Sequence, residues 1–370
     1  MKISNKIILV RGNIMNYPWE ANIRKVEPYT PGEQPTDPSI IKLNTNENPY
    51  GPSEDIKKAM NDLSTDLFKK YPDAKATDLV NELADYHKVG RDQVFVGVGS
   101  DDVLGMCFMT FFNSDKSILF PDITYSFYPV WAELLNIPFK TLALDDSFEI
   151  NAEDYLQENG GVVIPNPNAP TSILLGKDKI EKILEANKSN IIIIDEAYID
   201  FAEEGSSVID LIDKYDNLVV VRTFSKSRSL AGLRVGYAVS NPVLIKYLND
   251  VKYSYNSYTM NYPSIKLGSA VIKDEDYFRK TIKMIVDTRN WFSDELRKLG
   301  FSLPDSSTNF VFPEHESVPA KEIFEEAKKN KIYFRYFNLP RIDNRLRITI
   351  GTDEEMKTVV KFLQEYLKNK

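Results

Sequence analysis

Lys226 follows the apolar run 217–224, in the segment TFSKSRSLAGLR. An amine held at the end of a buried strand loses its water, and nearby cations push it further toward the neutral form. A neutral lysine is a nucleophile toward carbonyls. Arg228 and Arg234 are the cations the sequence offers for that neighbourhood. Asp195 closes the all-isoleucine run 191–194. A carboxylate there needs a partner, because burying it alone is costly. Plainer explanations exist for each residue: a surface lysine, or an aspartate that caps a helix or pairs with an arginine. Two more apolar runs end the same way, at Gly99-Ser100-Asp101 and at Pro165-Asn166-Pro167-Asn168. In a parallel sheet, ligands bind beyond the carboxyl ends of the strands. Four polar strand ends in succession point to one ligand site rather than to four unrelated turns.

The elements that must position these residues read as alternating strands and helices. Short apolar strands are expected at 94–99, 117–122, 161–168, 190–198, 217–224 and 232–240. Helices are expected from Ser53, which can cap the run SEDIKKAMNDLS, at 77–88 and at 178–188. A helix also opens after Gly99. The order predicts an α/β fold with a mainly parallel central sheet flanked by helices. After about residue 270 the texture changes to a long polar helix (275–299), a helix near 320–330, the runs KIYFRYF and RLRITIG, and a terminal helix. This reads as a smaller α+β unit. Residues 1–40, with Pro18, Pro28, Pro31, Pro35 and Pro38, read as an arm laid against something else. The division expected is 1–49 for the arm and part of the small domain, 50–255 for the large domain, and 256–370 for the rest of the small domain.

Composition narrows the function. The 370 residues carry 46 Lys+Arg against 54 Asp+Glu, a net charge of -8, which disfavours a nucleic-acid partner. Cys107 is the single cysteine and His87 and His315 the only histidines, so neither an internal disulfide nor a Cys/His zinc cluster is expected, and no metal. The N-terminal apolar run 7–10 is too short for a secretory signal, and no run approaches the ~20 residues that cross a bilayer. A cytoplasmic location without membrane contact is the expectation.

The segments LNTNENPYGPS (43–53), KYPD (70–73), GSDD (99–102), NPNAPT (166–171), DEAYIDF (195–201), RTFSKSRSLAGLRVGY (222–237) and LRITIGT (346–352) occur in this order. Together they resemble the histidinol-phosphate aminotransferases, pyridoxal-phosphate enzymes of the class II aminotransferase group with fold type I. The resemblance spans about 27–367. It implies pyridoxal 5'-phosphate as cofactor. The activity it implies is amino-group transfer between L-histidinol phosphate and 2-oxoglutarate, a step of histidine biosynthesis. By the same resemblance Lys226 would condense with the cofactor aldehyde and carry the proton of the reaction. Asp195 would pair with the pyridine nitrogen, Tyr198 would hydrogen-bond the ring hydroxyl, and Tyr125 would stack on the ring. The backbone N–H groups of Ser100 and Asp101 open a helix and suit a phosphate. Thr223, Ser225 and Arg234 match the family's other phosphate ligands. Tyr71 looks like the tyrosine that reaches the phosphate from a partner subunit, which implies a homodimer with shared sites. Arg347, Arg335 and Tyr29 match contacts to the small-molecule substrates' carboxylate or phosphate, for which an arginine fork is well shaped.

Two positions depart from the family pattern. NPNAPTS has Ala169 where the family commonly has an asparagine that contacts the cofactor hydroxyl, and Ser172 where it has glycine. Asn168 turning inward, or Tyr198 acting alone, would replace the lost contact. Arg228 is an added cation with no family role. The rival readings are a threonine-phosphate decarboxylase, an aromatic-amino-acid transaminase, and a non-catalytic binding module that kept the fold.

Overall fold

The computed structural model describes residues 17–370; the N-terminal run 7–10 lies outside them. In chain order the strands are β1 (Ile41–Lys42), β2 (Val94–Gly97), β3 (Ile118–Pro121), β4 (Phe139–Leu142), β5 (Val162–Pro165), β6 (Ile192–Asp195), β7 (Leu218–Thr223), β8 (Gly236–Ser240), β9 (Phe301–Ser302), β10 (Phe310–Val311), β11 (Glu314–His315), β12 (Ile332–Tyr333), β13 (Arg335–Tyr336) and β14 (Leu346–Thr349). The α-helices are α1 (Glu54–Asn61), α2 (Thr77–His87), α3 (Ser100–Phe111), α4 (Phe127–Leu135), α5 (Lys177–Ala186), α6 (Pro242–Tyr255), α7 (Tyr262–Lys273), α8 (Glu275–Lys298), α9 (Ala320–Lys329) and α10 (Asp353–Leu367).

Seven strands form the central sheet in the order β2-β8-β7-β6-β5-β3-β4. All pair in parallel except β8, which runs antiparallel to both neighbours. The inner strands are unbroken apolar runs because both faces are covered. Successive side chains alternate between two cores. Ile192, Ile194, Leu218 and Val220 enter one; Ile193, Val219 and Val221 enter the other, with Phe95, Phe108 and Tyr128. A third core gathers Leu43, Phe292, Ile348, Met356 and Leu363 around α8, α9, α10 and the short strands. The arm joins this last unit, since Ile41 pairs with Ile332 in parallel and Asn44 Nδ2 donates to Glu33 O (2.8 Å).

Local chemistry starts the helices where the sequence suggested. Ser53 Oγ accepts Ile56 N–H (3.4 Å) at the head of α1, and Thr352 and Glu355 form a capping box on α10. The sequence reading did not separate α4, α6 and α7. α4 is FYPVWAELL, apolar on nearly every side, and α7 buries seven of its twelve residues against α1 and α2 and the adjoining core. A helix apolar nearly all round, like α4, or wrapped as fully as α7 loses the amphipathic period that reveals it. Among the described residues no helix is long and apolar enough to cross a membrane.

Candidate active site

Because β8 runs against its neighbours, its start lies at the same edge as the ends of β2, β5, β6 and β7. That single edge therefore carries Ser100, Ala169, Asp195, Thr223 and Arg234. They line a cavity of about 400 Å³ together with Asp101, Tyr125, Tyr198, Ser225 and Lys226. A second cavity of about 260 Å³ adjoins it and shares Asp101, Tyr125, Ala169, Tyr198 and Lys226. Tyr29, Arg335 and Arg347 line only this second chamber. Lys226 thus stands at the junction.

Two glycines permit the close packing at one end. A Cβ on Gly236 would sit 2.3 Å from the backbone of Gly99 and Ser100. Gly99 itself has φ +86°, and a Cβ there would lie 2.5 Å from Arg234 Nη2. Only glycine accepts such contacts and that φ. The head of α3 is thereby pressed against Arg234. The helix has no side-chain cap, so its first N–H groups are left for another acceptor. Arg234 Nη1 lies 3.4 Å from Ser225 Oγ, which also accepts from Thr223 Oγ1 (2.9 Å). Hydroxyls, a guanidinium and a helix N-terminus converge as an anion cradle. The Asp101 side chain does different work. It accepts from Tyr125 Oη (2.8 Å) and from Arg234 Nη2 (3.2 Å), so it braces the Tyr125 ring and does not occupy its own backbone N–H.

Asp195 is 5% exposed and has no cation beside it. Its carboxylate accepts from Tyr128 Oη (2.9 Å) and Ala197 N–H (3.2 Å). Burial pushes its pKa up to about 7, and Tyr128's hydrogen bond restrains that rise. Tyr128 escaped the sequence reading because its only signal was an aromatic in an apolar helix. Its ring also meets Tyr125 edge-on at 5.7 Å. One side chain therefore fixes both Asp195 and the stacking ring.

Lys226 Nζ donates to Thr45 O (3.0 Å). Burial holds its pKa down at about 8, with Arg347 and then Arg234 adding to the effect. The expectation that Arg228 supplies this field is corrected. Arg228 is 6% exposed and points away. It donates to Val271 O (3.0 Å), pairs with Glu275 (3.4 Å) and stacks 3.7 Å over Phe278. It fastens the α7–α8 junction. The lysine loop is instead girdled by motif residues: Ser227 Oγ donates to Asp200 (2.5 Å), and Arg222 pairs with Asp200 (3.3 Å) and with buried Glu196 (2.8 Å).

Tyr198 accepts from Asn46 Nδ2 (2.9 Å), and Asn46 is locked by Thr349 and Asn309. Asn168 does not turn inward. It is 1% exposed, its amide donates to Ile123 O and Thr171 Oγ1, and its carbonyl accepts from Thr124. Ala169 faces the cavity in its place. The loop uses Asn168 to hold itself, so no donor is spare. Ser172 has φ +68°, the conformation a glycine would adopt freely, and its buried Oγ has no partner.

In the second chamber Arg335 and Arg347 face each other across β13 and β14. Arg347 Nη2 donates to Asn44 O (2.8 Å), while its buried Nε has no partner. Burial lowers Arg347's pKa, and Arg335 lowers it further. Like charges directly opposite are unfavourable without an anion between them. Tyr29 stacks 4.3 Å from Phe127 beside them. Tyr71 is not brought to the site. It is 81% exposed and packs only on Tyr258, at 4.7 Å.

The donor set suits a pyridoxal phosphate: an anion cradle at one end, a lone buried carboxylate for a protonated ring nitrogen, and an amine between them. The family model for aminotransferase class I and II matches residues 38–363. A histidinol-phosphate aminotransferase of Lactococcus lactis subsp. cremoris is 50% identical over 352 residues, covering 95% of this chain and 98% of that one. The crystal structure of the histidinol-phosphate aminotransferase from Clostridium acetobutylicum superposes with a TM-score of 0.83 at 24% identity, covering 90% of this chain and all of the other. The Sinorhizobium meliloti enzyme in complex with pyridoxal-5'-phosphate has the same fold, with a TM-score of 0.82 at 22% identity over 89% of this chain and 91% of its own. With this site on this sheet, the chain belongs to the class I and II aminotransferases, in their histidinol-phosphate aminotransferase branch.

Proposed function

We propose that the chain moves an amino group between L-histidinol phosphate and 2-oxoglutarate, as a step of histidine biosynthesis. The observation that carries this reading is the facing pair Arg335–Arg347 in a chamber that opens onto Lys226. A phosphate or a carboxylate relieves that pair's repulsion, so one site serves both half-reactions. The cofactor, when bound, supplies an electron sink for the bond broken at the substrate's Cα. The protein's part is proton handling and orientation. Lys226, with its pKa near 8, is poised to take and return a proton at Cα near neutral pH. Asp195 would hold a positive ring nitrogen, and Tyr128 keeps Asp195 aimed. Ser100, Asp101, Thr223, Ser225 and Arg234 would grip the cofactor phosphate, and Tyr125 would cover one ring face. Tyr198, steadied by Asn46, would hydrogen-bond the ring hydroxyl, and with Ala169 apolar it would do so alone.

The active species in this reading is a homodimer. Phe68, Tyr71, Tyr255 and Tyr258 are exposed aromatics near one another in sequence or contact, the kind of patch a partner covers. Tyr71 then reaches the partner's cofactor phosphate. The division at about 50 and 255, and a cytoplasmic location, belong to the same proposal. Steady-state assays of glutamate-coupled turnover with histidinol phosphate and with histidinol test it. The phosphorylated amine should win by at least ~10²-fold in kcat/KM, the worth of two charge-assisted contacts. Equal turnover of the two, or release of carbon dioxide without an oxo acid, refutes it.

A further inference from the structure

The two arginines of the second chamber sit on short strands, Arg335–Tyr336 and Leu346–Thr349, joined by the nine residues 337–345. Two residues of strand cannot by themselves hold two repelling guanidinium groups in register. The joining loop is fastened instead to the sheet that carries the cofactor cavity. Ile342, 2% exposed, is buried in the first core. Beside it, Arg341 Nη2 donates to Leu144 O (2.8 Å) and Asp145 O (2.7 Å), and its Nη1 to Asp122 Oδ2 (3.2 Å). Its guanidinium lies 5.5 Å from the Phe148 ring, and Arg345 lies 4.8 Å from the same ring. Arg341 adopts φ +70°, a left-handed backbone that L-residues avoid. Such a residue persists only where its surroundings over-determine it. Three acceptors on one fork do so here.

The far end of this clamp matters as much as the near one. Asp122 directly follows β3, accepts Leu144 N–H (3.0 Å) and stands three residues before Tyr125, the ring that faces the cofactor cavity. One guanidinium therefore ties the loop between the anion-reading arginines to the segment bearing Tyr125.

We propose that Arg341 is a positioning residue for substrate: by latching loop 337–345 onto Asp122 and the 144–145 carbonyls, it sets the spacing at which Arg335 and Arg347 meet the substrate's anionic group. This rests on the reading that those two arginines bind that group. It touches neither substrate nor cofactor. Loss of the fork leaves the reacting centre intact and loosens only the anion grip, which raises KM and spares kcat.

The test uses the holoenzyme and the variants Arg341→Met, Arg341→Lys, Arg335→Ala and the double variant Arg341→Met/Arg335→Ala. Arg341→Met should raise KM for histidinol phosphate and for 2-oxoglutarate about 5- to 10-fold, keep kcat within about twofold, and leave KM for histidinol unchanged at saturating 2-oxoglutarate. Arg341→Lys, with charge but no fork, should fall between. In the Arg335→Ala background the Arg341 effect should shrink to less than about twofold, because one arginine to be positioned is gone. A lowered Tm with unchanged KM overturns the latch and leaves a structural role. So does an equal effect in both backgrounds, or an equal effect on histidinol phosphate and histidinol. If Arg335→Ala raises KM while Arg341→Met does not, the latch alone fails. If Arg335→Ala itself leaves KM unchanged, the anion-binding reading fails and takes the latch with it.

Discussion

Removing the charge at position 195 should stabilise the cofactor-free protein and weaken the loaded one. Asp195 is 5% exposed, its partners are a hydroxyl and an amide, and its pKa is pushed to about 7 from 3.8. Between those values the folded state holds a proton that the unfolded state has released. Stability from this group is therefore fully present below pH ~4 and is lost as pH rises through 7. About three pH units at 1.36 kcal/mol each give roughly 4 kcal/mol. Asp195→Asn cannot titrate. Its amide must point one N–H at either Tyr128 or Ala197, a fixed cost of about 1 kcal/mol at every pH. Denaturant unfolding of cofactor-free wild type and Asp195→Asn, from pH 4 to 8.5, isolates the effect as a difference. The variant should be slightly less stable at pH 4 and more stable by roughly 3 kcal/mol above pH 7.5. With pyridoxal phosphate bound the order should invert, because a ring cation opposite the carboxylate removes the penalty and the amide has no charge to offer it. Cofactor-free curves that run parallel across the whole range would refute the claim that Asp195 is buried without a cation.

Tyr128→Phe should shift the same wild-type transition upward by about one pH unit, since it deletes a hydrogen bond to the charged form; an unmoved transition rules out that bond. Ser172→Gly should raise stability by about 1 kcal/mol, as it relieves a left-handed φ of +68° and removes a buried hydroxyl without a partner. A loss of stability in denaturant melts would contradict the strain. Arg228→Met should cost about 2 kcal/mol by stripping Val271 O of its guanidinium donor and leaving Glu275 with Arg279 alone. The pH dependence of cofactor attachment at Lys226 should stay where it was, and a shift of half a unit or more would restore Arg228 to the site's electrostatics.

Much of the sheet and the chemical residues could be read from one dimension. Strands β6 and β7 are buried on both faces, so their apolar runs are continuous, and the polar residues that follow them lie at one edge because parallel strands share a direction. Lys226, Asp195 and Tyr198 were legible at that edge for this reason, whereas Arg234, ahead of the antiparallel β8, was read from the motif around Lys226. Helices α4 and α7 were not, because a helix whose residues are apolar on most sides carries no amphipathic stripe. Of the cations that act on Lys226, the sequence offered Arg234 but not the stronger one. Arg228 is two residues away and turns aside, while Arg347, 121 positions later, faces the amine across the cleft. Tyr128 and Arg341 have ordinary sequence neighbourhoods, Asn46 sits in a quoted motif without a role assigned to it, and all three acquire their roles only when distant strands meet. Electrostatic and hydrogen-bond partnership depends on direction and distance in space, and only the packed fold sets those for residues far apart in the chain.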